Sequence, residues 1–404
     1  MTNVMKGVRV LEVAQFWFVP SAGAVLADWG ANVLKIEHPE RGDAQRGLAS
    51  AGVSVAAGGV DFLVQQPNRG KRSIGIDIAH PAGRELLYRL AETCDVFLTN
   101  FLPDARRKLQ IDVEHIRARN PRIIYARGHA YGTRGRESED GGYDATAFWT
   151  RGGVAATLTS PDAAEPPFQR AAFGDGIGGM TLAGGIAAAL FHRERTGIAE
   201  VVDVSLLGTA MWVMSPDVVA SKLINQPQLP TGPRASRPNP AVNNYRTKDG
   251  RWLILVHLQA DRYWPDLCRR LGRPDLATDP RFADMVARAK NSTECIAELD
   301  AVFATRTLED WRHALAGMEG PWAVMQTPRE LHDDPQVAAN EYLGEVDGSG
   351  RGRFTLVANP VQFGETPPTL RRGPEMGEHT DEVLHELGLT DDELMHHKVA
   401  GAIH

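Results

Sequence analysis

Strand and helix signals alternate along the first 130 residues, and this alternation constrains the fold more than any other feature of the sequence. Val8–Val13 is a short β-branched run, Pro20 and Ser21 then open a helix, and Asn32–Ile36 is a second apolar run. Further strand signals follow, separated by helical stretches, at Ser73–Ile78, Asp95–Thr99 and Arg122–Ala126. Strands that alternate with helices predict βαβ units, so we expect an α/β fold with a doubly wound parallel sheet.

The ends of these strands indicate where a ligand would bind. A doubly wound sheet binds its ligands at the carboxyl ends of its strands. We therefore expect the loops that begin at Phe16, Glu37, Asn100 and Arg127 to form the functional site.

The rest of the chain divides into a long helix, a proline-rich stretch and a second block of structure. Gly176–Arg195 predicts a helix rich in Gly and Ala that can pack closely against other elements. Six prolines lie within Pro216–Pro240, which indicates a linker over residues 216–240. Beyond it, Lys248-Asp249-Gly250 between two apolar runs is a hairpin signal. We expect a smaller α+β domain over residues 241–334.

The charges are spread unevenly along the chain. The 404 residues include 44 basic and 51 acidic side chains, a formal net charge of −7, which argues against a general nucleic-acid coat. Phe101–Arg136 contains nine Lys or Arg and three acids, whereas Arg371–His404 contains eight acids and three bases. A positive stretch in an acidic chain is a candidate anion site, and the alternative is a solvated surface.

Cysteine usage and hydropathy point to a soluble enzyme of a reducing compartment, which we expect to be cytoplasmic. Cys94, Cys268 and Cys295 form no C-x-x-C pair, so neither a disulfide framework nor a thiolate zinc site is expected. The N-terminus shows no signal-like apolar run up to Glu12. The longest apolar stretch, Gly176–Phe191, is too short and too rich in Gly to predict a membrane span.

Several common chemistries lack their motifs. Gln15-Phe16-Trp17-Phe18 follows the first strand, where a dinucleotide-binding domain would carry G-x-G-x-x-G. Gly70-Lys71 is similar to the end of a P-loop, but Gln65 and Arg72 occupy the positions that need Gly and Ser or Thr. The sequence contains no H-E-x-x-H and no G-x-S-x-G motif. We therefore expect no metal site and no tightly bound cofactor.

An aspartate between glycines precedes the long helix, in the segment Phe173-Gly174-Asp175-Gly176. One interpretation is an N-cap, whose side chain accepts hydrogen bonds from free helix amides. The other is a carboxylate nucleophile, which the helix dipole would keep ionised and which the bare glycines would leave open to a bulky electrophile. The local sequence leaves both interpretations open.

Motifs along almost the whole chain resemble the class III CoA-transferases, the CaiB/BaiF family that also includes formyl-CoA transferases and α-methylacyl-CoA racemases. Thr99-Asn100-Phe101 is similar to the family's Glu-Asn-Phe segment, and Gly377-Glu378-His379-Thr380 to its closing signature. The other similar segments are Leu26-Ala27-Asp28-Trp29-Gly30-Ala31, Lys35-Ile36-Glu37, Asn68-Arg69-Gly70-Lys71-Arg72-Ser73, Asn120-Pro121-Arg122-Ile123-Ile124-Tyr125, Arg193-Glu194-Arg195-Thr196-Gly197 and Val202-Asp203-Val204-Ser205-Leu206. Each motif alone is weak, but chance does not place this set in the family's order.

The resemblance implies a Rossmann-like large domain with a parallel sheet, formed by residues 1–215 and 335–404, and a homodimer of two interlocked ring-like chains. It implies a CoA-transferase whose partners are an acyl-CoA donor and a carboxylic-acid acceptor, with coenzyme A as substrate. Asp175 matches the family's catalytic aspartate, which would form a mixed anhydride and then an aspartyl-CoA thioester. Backbone amides at the start of the helix would stabilise the oxyanions.

Positions that bind CoA also follow from the resemblance. They offer cations for the phosphates and an aromatic surface for the adenine. These positions are Phe16, Trp17, His38, Arg41, Arg69, Lys71, Arg72, Asn100, Phe101 and Lys108. The alternative for any one of the cations is an exposed surface residue, and for the phenylalanines a core residue.

One segment separates the activities within the family. Racemases carry Gly-His-Asp where this chain has Gly142-Tyr143-Asp144, and the transferases commonly carry Tyr followed by an acid. Tyrosine is a poor general base at neutral pH, so Tyr143 favours transfer and is placed with Asp175 among the catalytic residues. Two alternatives stay open: a racemase in which His129 replaces the missing histidine, and a catalytically silent CoA-ester-binding protein.

The first loop bears on the acyl group. Phe16, Trp17 and Phe18 are bulky apolar side chains that would suit a hydrophobic acyl group, such as that of a fatty acid. The alternative is that these side chains belong to the core.

Overall fold

The computed structural model describes residues 3–52, 58–160, 163–230, 232–348, 350 and 352–404. A sheet of six parallel strands with the order β3-β2-β1-β4-β5-β6 organises the first part of the chain. The strands are β1 (Arg9–Val13), β2 (Asn32–Glu37), β3 (Arg72–Gly75), β4 (Val96–Thr99), β5 (Ile124–His129) and β6 (Val201–Ser205). The predicted parallel sheet is confirmed, and the predicted strands overlap the observed ones.

The strand order reverses between β1 and β4. Their carboxyl ends are level, because Val13 pairs with Thr99 in the parallel register. Val10 and Leu11 of β1 point to opposite faces and both are fully buried, as expected for a strand that helices cover on both sides. The point of reversal is where a doubly wound sheet forms its ligand crevice.

Helices connect the strands and follow them. They are α1 (Phe18–Asp28), α2 (Ala44–Ser50), α3 (Phe62–Asn68), α4 (Pro81–Glu92), α5 (Pro103–Leu109), α6 (Val113–Arg119), α7 (Val154–Leu158), α8 (Phe173–Thr196), α9 (Leu206–Val213) and α10 (Ser215–Ile224). A π-helix over Asp144–Thr150 lies between β5 and α7. The predicted long helix is α8, which begins three residues earlier than Gly176.

α1 and α8 pack closely because glycines of α8 face α1. A Cβ atom on Gly179 would lie 1.8 Å from Ser21 Oγ and 2.8 Å from the carbonyl oxygen of Phe18. A Cβ atom on Gly178 would lie 2.6 Å from the Phe18 ring. Only glycine permits this approach, so the Gly-rich sequence of α8 fixes the helix against α1.

α8 also has the length and apolar composition of a membrane-spanning helix, which no other helix of the described residues has. Core helices of soluble proteins share this property. Leu182, Ala183 and Ile186 of α8 are fully buried in the core that α1 and β1 also form. Core packing therefore accounts for the apolar side chains on the buried face of α8.

The chain forms two compact units: residues up to Asn225 with Pro335–His404, and Gln226–Asp334. The second unit has an antiparallel sheet of order β7-β8-β9, formed by β7 (Val242–Arg246), β8 (Trp252–Val256) and β9 (Trp322–Val324). Its helices are α11 (Ala260–Arg270), α12 (Asp275–Thr278), α13 (Met285–Lys290), α14 (Ser292–Phe303) and α15 (Leu308–Leu315). The predicted hairpin at Lys248-Asp249-Gly250 joins β7 to β8.

The predicted linker over residues 216–240 is wrong in its first part. α10 occupies Ser215–Ile224 and belongs to the first unit, so the crossing to the second unit comes after Asn225. Pro216 stands in the first turn of α10. The amide that proline lacks has no partner in the first turn of any helix, so this proline starts a helix instead of ending one.

After the second unit the chain returns to the first. This segment contains α16 (Pro335–Ala339), the antiparallel pair β10 (Leu343–Asp347) and β11 (Arg353–Val357), α17 (Thr380–Glu386) and α18 (Asp391–Val399). Thr380 Oγ1 accepts a hydrogen bond from Gly75 N at 2.9 Å, and His379 N donates to Ser73 O at 2.9 Å. The closing segment thus covers the edge strand β3, which would otherwise expose its backbone.

We expect the substitution Gly179→Ala to destabilise the protein by about 1–3 kcal/mol, because the new methyl group would overlap Ser21. Gly184→Ala is the matched control on the same helix, since a Cβ atom there would meet nothing within 4 Å. That control should be neutral or more stable by about 0.5–1 kcal/mol. Thermal unfolding of both variants checks this, and an equal response at the two positions would contradict the packing of α1 on α8.

Candidate active site

A cavity of about 960 Å³ lies at the carboxyl ends of β1, β4 and β5. Phe16 follows β1, Phe101 follows β4, and Gln45 comes from the loop and helix after β2. Tyr143, just before the π-helix, and Asp175 of α8 complete the wall. Since the strand order reverses between β1 and β4, the cavity is in the place that the topology predicts for a ligand.

Asp144 caps the start of α8 from a different part of the chain. Its Oδ2 accepts hydrogen bonds from Gly174 N at 2.9 Å and from Asp175 N at 3.1 Å. The N-cap position itself is Ala172, which has a left-handed φ of 60° and makes no side-chain cap. The interpretation of Asp175 as an N-cap is therefore wrong, because Asp144 provides the cap.

The same contacts change the expected oxyanion site. The amides of Gly174 and Asp175 are bonded to Asp144, and Gly176 N donates to Ala172 O at 3.0 Å. These three amides therefore already have partners, so they are not free to stabilise an oxyanion in this arrangement of the site. A role of the remaining amide of the helix start, that of Phe173, stays a prediction.

Asp175 lies in the first turn of α8, and its side chain faces the cavity. Within the described part of the chain its carboxyl group accepts no hydrogen bond and forms no ion pair. Burial, together with the neighbouring Asp144 carboxylate, raises the pKa of Asp175 to about 8. The prediction of an ionised carboxylate is therefore wrong for the unliganded protein at neutral pH, where the carboxylic acid is the major form.

The glycines around Asp175 have different roles. A Cβ atom on Gly174 would lie 2.4 Å from Asp144 Oδ1 and 2.2 Å from the Phe148 ring, so this glycine lets Asp144 reach the helix end. A Cβ atom on Gly176 would meet nothing within 4 Å. The space that the sequence predicts beside Asp175 for a bulky electrophile is thus present at Gly176. Gly178 and Gly179 instead allow α8 to pack closely against α1.

Tyr143 precedes the π-helix and is 63% exposed. Its ring meets the Phe16 ring edge to face, with 5.5 Å between the centroids and 88° between the planes. Its backbone N–H donates to Thr146 Oγ1 at 2.9 Å. Tyr143 and Asp175 therefore line one cavity, and a catalytic role of Tyr143 stays a prediction.

Among the residues predicted to bind CoA, Phe16, Trp17, Asn100 and Phe101 line the cavity. Asn100 also holds the first loop, since its Oδ1 accepts from Gln15 N at 3.0 Å and its Nδ2 donates to Gln15 O at 2.7 Å. Only one side-chain N–H of Asn100 is left for a ligand. The contacts of Asn100 in the structure therefore hold the backbone of the first loop at Gln15.

Arg69 and Lys71 do not lie where the prediction of CoA binding would need them. Arg69 forms a buried ion pair with Asp28, 2.6 Å between Nη2 and Oδ2. The Lys71 side chain is fully buried, with Nζ 2.7 Å from Glu12 Oε2 and 2.8 Å from Pro20 O. Arg69 neutralises an internal carboxylate, while burial lowers the pKa of Lys71 to about 7 beside Glu12. Both side chains lie outside the cavity lining.

The other predicted cations also lie outside the cavity lining. Arg72 binds Glu382 and Glu386 at the start of β3, and the exposed Lys108 pairs with Asp104 at 2.7 Å. Arg41 is exposed in the turn after β2, and His38 Nδ1 in that turn accepts hydrogen bonds from two backbone amides. A contact of His38, Arg41 or Lys108 with CoA stays a prediction, whereas Arg72 is engaged by the C-terminal helix α17.

The basic stretch Phe101–Arg136 is not a free positive surface. Arg107 pairs with Glu139, Arg119 with Glu85, and Arg127 with Asp203. These carboxylates lie outside the stretch, so the excess of positive charge along the sequence is largely neutralised in space. The solvated, ion-paired alternative therefore describes most of these cations better than a phosphate site does.

The sequence interpretation missed Gln169 and Arg170, which line the cavity. Gln169 is 8% exposed, and its Nε2 has no hydrogen-bond partner among the described residues. Arg170 is exposed. The sequence could have indicated Gln169 and Arg170, because they lie only a few residues before α8 and therefore close to Asp175 along the chain.

His129 lines the cavity, and its Nε2 lies 2.9 Å from Asp203 Oδ1 of β6. A carboxylate bound to one ring nitrogen orients the imidazole, and the other ring nitrogen would then have to act as the base of a racemase. The racemase role of His129 therefore stays a prediction.

The fold and the site together define a Rossmann-like α/β enzyme with a partly buried carboxyl group in a large cavity and without a dinucleotide fingerprint. The chain belongs to CoA-transferase family III, whose family model matches residues 5–380. The resemblance that the sequence motifs carry is thereby confirmed, and the protein is an enzyme of the CoA-transferase class.

Individual relatives are similar over nearly their full length. The chain is 29% identical to (R)-2-hydroxy-4-methylpentanoate CoA-transferase of Clostridioides difficile, covering 98% of each chain. It is 31% identical to cinnamoyl-CoA:phenyllactate CoA-transferase of Clostridium sporogenes, covering 97% of this chain and 95% of the relative. The crystal structure of a CaiB/BaiF family protein from Brucella suis matches with a TM-score of 0.81 at 29% identity, covering 96% and 100% of the two chains.

The raised pKa of Asp175 makes a prediction about stability. The folded protein keeps a proton on Asp175 up to about pH 8, while the unfolded chain releases it near the ordinary value of 3.8. Stability is therefore lost as the pH rises from about 4 to 8. We expect Asp175→Asn to be more stable than the natural protein by about 1–3 kcal/mol at pH 8.5 and nearly equal at pH 4.5.

Chemical denaturation at the two pH values measures this difference. Asp144→Asn keeps a cap acceptor and removes the neighbouring charge, so the stabilising effect of Asp175→Asn should shrink in that background. A stability difference that does not change with pH would show that Asp175 titrates normally.

Proposed function

We propose that the protein transfers CoA from an acyl-CoA thioester to a carboxylic acid with Asp175 as the nucleophile. The observation that carries this proposal is the Asp175 carboxyl group, which faces the cavity at the strand ends and has no partner among the described residues. A structural carboxylate at a helix start would be bonded, as Asp144 is. The unpartnered group beside the open side at Gly176 is suited to react.

The proposed reaction begins when the Asp175 carboxylate attacks the thioester carbon of the donor. The carbon–sulfur bond breaks, CoA leaves as the thiolate, and a mixed anhydride forms. The thiolate then attacks the side-chain carbonyl carbon of Asp175, which releases the donor acid and leaves an aspartyl-CoA thioester. The acceptor carboxylate repeats both steps in reverse, so Asp175 is regenerated and no oxidant or water is consumed.

The proton of Asp175 has to leave before the first step. Burial and the Asp144 carboxylate raise the pKa of Asp175 to about 8, so the neutral acid is the major form of the free protein at pH 7. Arg170 at the cavity wall would favour the anion once a ligand excludes water. Gln169 has a free Nε2 donor near the start of α8 and takes the place of the helix amides as the candidate oxyanion donor.

The walls of the cavity suit a bulky, apolar acyl group. Phe16, Phe101, Tyr131 and Tyr143 all line it. Phe16, Trp17 and Phe18 of the predicted apolar first loop all line the cavity, and Phe18 also packs in the core. The two named relatives act on acids with branched or aromatic side chains that carry a hydroxyl group. We propose acceptors of this class, to be tested by offering such acids beside oxalate and short-chain acids.

Hydroxylamine should trap the proposed intermediates on Asp175. Incubation with a turned-over acyl-CoA and hydroxylamine is expected to inactivate the protein and leave a hydroxamate on Asp175, detectable by peptide mass spectrometry. The rate of inactivation should rise with pH and level off above about 8, since the carboxylate is the reacting form. Asp175→Asn should lower kcat by at least about 1,000-fold.

Asp140, another acid of the cavity wall, serves as the internal control and should carry no adduct. Turnover without any adduct on Asp175 would rule out the covalent mechanism. Exchange of the α-hydrogen for solvent deuterium in the absence of an acceptor acid would instead support the racemase alternative.

We propose that the protein is a homodimer, in line with the interlocked chains that the family resemblance implies. α10 buries none of its residues, although it carries several apolar side chains. Trp212 of α9 and Leu223 of α10 are each 79% exposed, and Phe191 of α8 is 65% exposed. Exposed apolar patches of this kind mark protein interfaces, and a second copy is the occupant that we propose.

The substitution Trp212→Glu should therefore weaken the dimer. Light scattering after size-exclusion chromatography should give twice the chain mass of 44.1 kDa for the natural protein and a shift toward the monomer for the variant. Val399→Glu, at an equally exposed apolar residue of α18, should leave the mass unchanged. A monomeric natural protein at micromolar concentration would contradict the proposal.

A further inference from the structure

The backbone of the first loop is held by side chains rather than by neighbouring backbone. Lys35 Nζ donates to Ala14 O at 2.9 Å. Asn100 brackets the peptide groups of Gln15, as described above. Phe16 N donates to Asp43 Oδ1 at 3.0 Å. Consecutive residues of the loop are thus fixed by three side chains that come from β2, from the turn after it and from the end of β4.

Asp43 and Lys35 form a buried ion pair behind this loop. The distance from Lys35 Nζ to Asp43 Oδ2 is 2.8 Å, and both side chains are fully buried. Burial alone would lower the pKa of Lys35, but Asp43 and the nearby Glu12 and Glu37 raise it above its ordinary value, so the lysine is charged. Asp43 Oδ1 is left to accept from the backbone, and Gln45 N donates to it as well at 2.9 Å.

Phe16 needs such support because of its backbone conformation. Its φ is +67°, in the left-handed region where residues other than glycine cost about 1 kcal/mol or more. Residues in that region persist when their surroundings over-determine them. The conformation places the Phe16 ring in the cavity wall and edge-on against Tyr143.

We propose that Asp43, oriented by Lys35, is a positioning residue that holds Phe16 in its left-handed conformation and thereby shapes the CoA-ester cavity. Asp43 itself does not line the cavity, so it acts through the Phe16 amide. The inference that this wall contacts a CoA ester rests on the function proposed above. The positioning of Phe16 does not depend on that function.

A double-mutant cycle tests the proposal. Coenzyme A is the probe, and its dissociation constant is measured by calorimetry for the natural protein, Asp43→Ala, Phe16→Gly and the double variant. Asp43→Ala should weaken binding about fivefold to tenfold, the effect of losing one buried hydrogen bond and the loop geometry. In the Phe16→Gly background, where the ring is absent and the backbone is free to adopt this φ, the same substitution should change binding less than twofold.

Two further variants separate positioning from general stability. Asp43→Asn has one side-chain oxygen in place of two, so it can bond Phe16 N or face Lys35 but not both, and it should recover only part of the affinity. Asp28→Ala removes another buried carboxylate, the partner of Arg69, and should lower stability without weakening CoA binding. An equal loss of affinity from Asp43→Ala in both backgrounds, or a similar loss from Asp28→Ala, would overturn the proposal.

Hydrogen exchange gives a readout that needs no ligand. The amide of Phe16 should exchange at least about tenfold faster in Asp43→Ala than in the natural protein, and at an intermediate rate in Asp43→Asn. If the natural protein did not bind CoA, the proposed function would be wrong. The exchange rate of the Phe16 amide would still show whether Asp43 positions Phe16. Unchanged protection of Phe16 in Asp43→Ala would disprove that role.

Discussion

The two hydrogen bonds that Asp144 accepts from Gly174 and Asp175 fix the start of α8, and the other properties of the site depend on them. They satisfy amides that would otherwise attract an anion, so the helix end no longer favours a charged Asp175. They also bring a second carboxylate close to the first, which raises the pKa of Asp175. These hydrogen bonds therefore fix the helix end that carries Asp175, and the Asp144 carboxylate adds to the larger effect of burial in raising the pKa of Asp175.

The part of the cavity wall that Phe16 forms is held in the same way. Asp43 accepts the amide of Phe16 as Asp144 accepts the amides of α8, and each acid comes from a different part of the chain than the backbone it holds. Carboxylates suit this task because one oxygen can bind backbone N–H groups while the other faces a counter-charge or remains buried. Lys35 supplies the counter-charge for Asp43, whereas Asp144 Oδ1 has no partner within the described residues. This difference leaves the negative potential of Asp144 available to act on Asp175.

Local patterns in the sequence predict the strands and helices of the fold well. They miss the features that depend on contacts between residues far apart in the sequence. The β-branched runs gave the strands of the sheet, and the Gly-Asp-Gly pattern located Asp175. Lys71, by contrast, reads as a surface cation because lysine is rarely buried, and its partner Glu12 lies 59 residues away. The cap on Asp175 comes from 31 residues away, so neither the occupied helix amides nor the raised pKa could follow from the local sequence. The basic stretch misled for the same reason, since its carboxylate partners are distant in sequence.

The protonation state of Asp175 is consistent with the covalent route proposed for it. A mixed anhydride hydrolyses easily, so an enzyme that forms one has to keep water from it. The burial that would exclude water from Asp175 also raises the pKa of Asp175. Exclusion of water and a raised pKa therefore come together at this site. The raised pKa therefore leaves the neutral acid as the major form of Asp175 before substrate binds. Once ionised, a carboxylate of raised pKa is more basic than an ordinary one, and it is correspondingly more nucleophilic toward the thioester carbon.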